Sequence, residues 1–370
     1  MIEVLRVGNK KELKRFIEFP YSFYKGYPRW VAPLRVSEKE TFDRNKNPFF
    51  RHADVCLFNA YKDGIMAGRV AAAVNFNHND FHDEKVVFFG FFESADDEDV
   101  SAALLSAVLV YGRDAGMDIM RGPMNFSTND TCGMLYEGFD HDPVAMMPYN
   151  PEYYNRLMSS FGMQKAKDLY SYRFVNGTER ARKLTLIGEQ MSKRGNYEKR
   201  GINKKNIHNI MGDFKEIYDL SWEKNWGFVP MTEAELVHLA DAMKDLVEPE
   251  LAFILYHEGR PIGTSLSLSD YNQAIKHMRG RLTLPGIIRM KREWKKIDTA
   301  RNLVMGVIPQ YRRRGVELIL IAGTISGANE LGIQYGDLGW ILEDNEMMNR
   351  ELLNIGSERY KVFRIYEKRI

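Results

Sequence analysis

The residues best placed to do chemistry lie in VMGVIPQYRRRGVELIL, residues 304–320, where two apolar runs are separated by Tyr311, Arg312, Arg313, Arg314 and Gly315. Pro309 removes a ladder donor and closes the first run as a strand. Leu318, Ile319 and Ala322 then recur on one helical face, so a helix is expected to begin near Gly315. The first N–H groups of a helix have no internal partners and that end is partly positive. With arginines beside it and a glycine that lets a ligand approach the backbone, the loop reads as an anion cradle suited to phosphate. RRRG taken alone also fits a solvated loop.

Three other stretches carry reactive side chains. Residues 272–296 hold eight lysines and arginines against Glu293 alone, which suits a solvated flank, contact with phosphates or an acidic partner. His78 and His82 are four apart, a metal-binding spacing on a helix, but their Asn- and Asp-rich surroundings read as a loop between strands and no metal is expected. The polar loop 124–150 offers many hydrogen-bonding groups, either to cap a cleft, to bind a polar acceptor or to cover a sheet edge.

The order strand, V-x-P-x-Y-R-x-x-G, helix resembles the acyl-CoA-binding motif of the GNAT superfamily, the GCN5-related N-acetyltransferases. Val307, Pro309, Tyr311, Arg312 and Gly315 stand in its positions, while Glu317 departs from the small residue usual at the end of the motif. Downstream, Asn345 and Gly356 are similar to the second signature, an asparagine after the fifth strand and a helix ending in glycine. The resemblance covers most of residues 200–370 and, more weakly, 1–175, and implies tandem GNAT-like domains.

What the resemblance implies is an acyl-CoA-dependent N-acyltransferase, an N-acetyltransferase where the donor is acetyl-CoA, acting on a small-molecule or peptide amine. Val307, Arg312, Arg313, Arg314, Gly315, Val316, Glu317 and Asn345 would hold the coenzyme. Asp337, Glu343 and the neighbouring Asp344 would supply the base, although all three also read as ordinary acids. The family's acid, a tyrosine seven residues after the asparagine, is replaced by Leu352, leaving Tyr311, Tyr335, Tyr360 or solvent for that role. Trp222, Trp226 and Phe228 would line the acceptor cleft or pack in the core. A non-catalytic acyl-CoA- or metabolite-binding protein is the competing reading. Tandem proteins of the Fem type use an aminoacyl-tRNA donor, against which the near-neutral charge argues.

The elements that must position these residues come twice. Gly64 and Gly259, each the second residue of a hairpin turn, are 195 positions apart, and so are Gly68 and Gly263. Each half then carries a strand, an amphipathic helix and a second strand, so each is expected to be an α/β unit with a mixed, mostly antiparallel sheet flanked by helices. At the first-half position of the arginine loop stand Asp96, Asp97, Glu98 and Asp99, which suit a helix N-terminus but repel pyrophosphate. The expected domains are therefore a degenerate copy at 1–175, a charged linker at 176–200 and a coenzyme-binding copy at 201–370.

A chain of 370 residues with 44% apolar content can bury a large core. Its net charge of +2 implies no overall pull toward nucleic acid or membranes. Two cysteines, Cys56 and Cys132, argue against a disulfide framework. The opening residues read as a strand and a charged helix, and no apolar run reaches the roughly 18 residues of a membrane span. A soluble cytoplasmic protein without a membrane partner is expected.

Overall fold

The computed structural model describes residues 1–370. They group into two compact units: residues 1–169, 275–290 and 361–370 form unit 1, and residues 170–274 and 291–360 form unit 2. The divisions fall inside two strands and two helices, and two segments of the expected second domain, 275–290 and 361–370, belong to unit 1.

In chain order the first half contains β1 (Ile2–Arg6), α1 (Lys10–Phe23), α2 (Arg35–Thr41), β2 (Ala53–Lys62), β3 (Ile65–Asn75) and α3 (Phe76–His82). It continues with β4 (Val86–Ser94), α4 (Glu98–Asp114), β5 (Ile119–Gly122), β6 (Met134–Glu137), α5 (Tyr153–Ser160) and β7 (Gln164–Val175). The second half contains α6 (Glu179–Arg194), β8 (Glu198–Gly201), α7 (Met211–Trp222), α8 (Glu233–Met243), β9 (Ala252–His257), β10 (Arg260–Ser269) and α9 (Asn272–Ile275). Then follow α10 (Leu284–Trp294), β11 (Thr299–Val307), α11 (Val316–Glu330), β12 (Tyr335–Leu342), α12 (Glu346–Asn354) and β13 (Glu358–Arg369).

Local chemistry explains the repeat. The turns Asp63-Gly64 and Glu258-Gly259 both have two consecutive positive φ values, 50° and 79° in one and 51° and 77° in the other, as a tight hairpin requires. Each hairpin then skips one residue in register, Ala67 opposite β2 and Ile262 opposite β9, so even the bulges keep the 195-residue spacing.

In unit 1, β1, β2, β3 and β4 are antiparallel neighbours, β5 is parallel to β4, and the end of β13 pairs antiparallel with β5 and β6. Val87, Leu104, Leu105, Val108 and Met120 are buried together between sheet and α4, while Phe16, Phe42, Phe91 and Phe126 form a second cluster. In unit 2, β8, β9, β10 and β11 are antiparallel neighbours and β12 is parallel to β11.

One sequence reading gains a helix and another changes. Residues 176–200, read as a charged linker, contain the 16-residue α6, capped by Thr178, whose hydroxyl accepts from the Ala181 N–H. Gly188 lets α6 lie close on α11, since a Cβ there would fall 2.3 Å from the Ala322 Cβ. Residues 78–82, read as a loop, belong to α3, started by the Asn75 carboxamide accepting from the His78 N–H. Capping outweighs the weak helix propensity of this stretch.

Candidate functional site

The parallel ladder of β11 and β12 runs only from Thr299↔Tyr335 to Asn302↔Leu338. Beyond it β11 continues to Val307 paired with β10 alone, and Asn302–Gly306 are half-buried. Two strands that start paired and then part from each other leave a row of backbone N–H and C=O groups along one edge of β11.

That edge leads into the arginine loop. Gly315 has φ 80° and precedes α11, whose Leu318 and Ile319 N–H groups bond to its carbonyl. Val316 and Glu317, one turn earlier, carry N–H groups without intrahelical acceptors. The three arginines differ. Arg312 donates from Nε to the Val307 carbonyl (3.0 Å) and from Nη2 to the Ser221 carbonyl (3.0 Å), bracing strand end to α7. Arg313 and Arg314 are exposed, and the Arg314 guanidinium lies 5.4 Å from the Tyr311 ring centre. Glu317 Oε1 lies 3.4 Å from the Arg313 N–H, so a carboxylate sits beside the cradle.

Gly315 also has a second neighbour. A Cβ on it would fall 1.9 Å from the Met191 methyl of α6, so the room left by the missing side chain is taken by Met191. The positive φ favours glycine here, and a side chain at this position would have to displace the Met191 methyl, the movable end of a flexible side chain.

At the closed end of the ladder Arg301 and Asp337 stand in one row, 2% and 1% exposed. Asp337 Oδ2 accepts from the Ser171 hydroxyl (2.8 Å) and the Tyr360 hydroxyl, and Oδ1 lies 3.9 Å from Arg301 Nε. Arg301 also stacks 4.6 Å from the Trp340 ring centre and donates to the Gly339 carbonyl at 3.4 Å. Burial and the adjacent Asp337 charge push the Tyr360 hydroxyl far above its ordinary pKa, so it stays protonated.

Tyr311 shares a hydrogen bond of 2.9 Å with His257 Nδ1. Glu343 lies just beyond β12, its carbonyl accepting from Asn349 Nδ2, and Asp344 is exposed next to it. Asn345 caps α12, its carboxamide oxygen accepting from the Met348 N–H, so its side chain serves its own helix. Leu352 is 7% exposed on α12. Tyr335 opens β12 under the Arg173 guanidinium, 4.2 Å from the ring centre. Trp222 packs on Gly306, where a Cβ would fall 2.4 Å from the indole, at the end of β11 beyond its ladder with β12. Phe228 is buried and joins Trp222 through Tyr218, while Trp226 is half-buried.

The sequence reading thus has its loop residues together with Val307, and Asp337 at the closed end of the same strand pair. It missed Arg301, Ser171, His257 and Met191. Arg301 and Asp337 had a visible signal, a charge inside each of two apolar strands; the others approach from distant segments. Toward coenzyme A, the N–H groups of Val316 and Glu317 with Arg313 and Arg314 fit a pyrophosphate, whereas Arg312 is engaged with carbonyls and Glu317 opposes an anion.

Unit 1 has the same plan with different contents. Its β4–β5 ladder runs from Val86↔Ile119 to Phe88↔Arg121, but the chain after β5 turns back onto β4. The Met124 N–H donates to the Phe89 carbonyl (2.8 Å), the Phe91 N–H to the Asn125 side-chain oxygen (2.8 Å), and a Cβ on Gly90 would fall 1.8 Å from the Met124 carbonyl oxygen. At the start of α4, Asp97 accepts from the Asp99 and Val100 N–H groups and pairs with Lys62, while Arg156 pairs with Asp96 and Glu98.

No protein-family model matches the chain. It is 32% identical over 370 residues to Protein YghO of Escherichia coli K12, covering 98% of this chain and 94% of that protein. It is 29% identical over 377 residues to a protein of Caulobacter vibrioides named bacterial ceramide synthase, covering 99% and 97%. Among solved structures, a tandem GNAT protein from the clavulanic acid biosynthesis pathway superposes with a TM-score of 0.57 at 11% identity, covering 100% of this chain and 98% of its own. A probable N-acyltransferase from Enterococcus faecalis gives 0.52 at 10% identity, covering 100% and 73%.

Proposed function

The chain belongs to the family of Protein YghO of Escherichia coli and has the tandem GNAT fold, and on that premise we propose that it is an acyl-CoA-dependent N-acyltransferase whose donor lies on unit 2 and whose acceptor is an amine. The observation that carries the reading is the unpaired edge of β11 running into the glycine-started α11 with Arg313 and Arg314. A free strand edge suits an extended amide-bearing chain and a helix N-terminus suits a pyrophosphate, the two parts of coenzyme A that precede its thioester.

In the reaction the amine nitrogen attacks the thioester carbonyl carbon, the C–N bond forms and the C–S bond breaks. The ammonium gives up a proton and the departing thiolate takes one. Asp337 is the proposed base and Tyr360, kept protonated beside it, the proposed donor, with Arg301 holding the carboxylate charge in a buried place. Glu343 and the Tyr311–His257 pair are the further candidates for moving a proton, and Trp222 and Trp226 for contact with the acceptor. A ceramide is the amide of a long-chain amino alcohol, so the name of the Caulobacter relative describes N-acylation. A long-chain amino alcohol is therefore the first acceptor to try.

The test is release of free thiol from acyl-CoA donors of increasing length, with and without such amines. Amine-dependent release, lost in Asp337→Asn, supports the proposal. Donor binding without release under any amine favours the competing reading, a non-catalytic acyl-CoA-binding protein, to which the buried Leu352 at the family's acid position points. No donor binding at all overturns both.

A further inference from the structure

The basic segment is not absorbed by the acyl-transfer site. Within it α10 is amphipathic in an unusual sense: Gly286, Ile287, Met290, Glu293 and Trp294 are partly buried, and the opposite face is exposed. That outer face carries Leu284 at 80% and Ile288 at 71% exposure, with Leu282 at 54% in the loop leading into the helix. Positions 284, 288 and 291 or 292 follow one another at helical spacing, with Arg281 in the loop just before them, so apolar and basic side chains share one stripe.

Arg281, Arg289, Lys291, Arg292 and Lys295 are exposed, and their side chains form no ion pair. The acid of this helix, Glu293, is on the inner side and pairs with Lys296 (3.0 Å). Elsewhere Lys276 and Arg29 share Asp142, and Arg35 pairs with Glu18, so these three cations outside the face are matched. A helix that exposes large apolar side chains among unmatched cations is complementary to a surface with an anionic layer over an apolar one.

We propose that the outer face of α10 docks the protein on the surface of an anionic phospholipid bilayer, with Leu284 and Ile288 inserted at the headgroup boundary and Arg281, Arg289 and Lys291 on the lipid phosphates. This is peripheral contact, so the absence of a helix long and apolar enough to cross a membrane does not bear on it. The expectation of no membrane partner came from net charge and the lack of an apolar span, and neither reports a local face.

Sedimentation of the full chain with vesicles tests it, without acyl donor or amine, so failure here leaves the acyl-transfer reading as it stands. The chain should bind vesicles of phosphatidylglycerol mixed with phosphatidylcholine, bind phosphatidylcholine alone at least about tenfold more weakly, and release in high salt. Leu284→Glu with Ile288→Glu, and separately Arg281→Gln with Arg289→Gln and Lys291→Gln, should each lower binding about tenfold or more while the melting temperature stays unchanged, because these side chains are exposed. No binding to the mixed vesicles, equal binding to the neutral ones, or wild-type binding by both variants would overturn the proposal.

Discussion

Units 1 and 2 build the same wedge of parallel strands and finish it in opposite ways. In unit 1 the residues after Arg121 fold back, and Met124 and Asn125 take the hydrogen bonds that the edge of β4 offers at Phe89 and Phe91. In unit 2 the ladder ends at Asn302↔Leu338 and β11 remains half-buried to Gly306. The helix starts diverge as well: Asp97 satisfies the first N–H groups of α4, whereas a glycine stands before α11 and two exposed arginines adjoin it. A strand edge filled by its own chain has no room for a ligand, whereas an edge without a partner strand is where the proposed donor would lie.

The largest effect should come from the closed end of the unit 2 wedge. Asp337→Asn keeps the shape and removes the proposed base, and is expected to lower turnover by about 10²–10⁴-fold with donor affinity retained. Unchanged turnover would remove Asp337 from the chemistry.

Acid should attack the scaffold. Burial lowers the pKa of His78 to about 4, against an ordinary 6.5, although its bond to Glu84 opposes this. The unfolded chain therefore binds a proton between those values that the folded chain refuses. Stability is fully present above about pH 6.5 and is lost as pH falls toward 4, by roughly 2–3 kcal/mol. Denaturant unfolding of wild type and His78→Phe across that range checks it, the variant losing most of the slope.

Asn125→Ala should strand the buried Phe91 N–H and cost about 1–3 kcal/mol in thermal unfolding, with coenzyme A affinity unchanged. Arg313→Gln with Arg314→Gln should leave stability alone and weaken coenzyme A by roughly tenfold at low salt, the difference shrinking as salt rises. A shift of stability in the second variant, or of affinity in the first, would erase the contrast between the units.

Much of this contrast was legible in the sequence because it is written locally. Paired turn residues at 63–64 and 258–259, acids at 96–99 and arginines at 312–314 act on backbone within a few residues of themselves. The α6 helix was missed because its charged exterior hid a narrow inner face at Ala181 and Gly188, and α3 because capping by Asn75 outweighs propensity. The plug at Met124 and Asn125, the methyl of Met191 over Gly315, and the Ser171 and Tyr360 hydroxyls on Asp337 depend on contacts between segments distant in sequence, which periodicity cannot report. The carbonyl acceptors of Arg312 at Val307 and Ser221 emerge only in the fold for the same reason.

The central claim, that one unit holds coenzyme A and the other is scaffold, is tested most directly by calorimetric titration of the whole chain with coenzyme A. The account predicts one site per chain, lost in Gly315→Val, where a β-branched residue must adopt φ 80° and displace Met191. Two sites per chain, or one site that survives Gly315→Val in a folded protein, would contradict it.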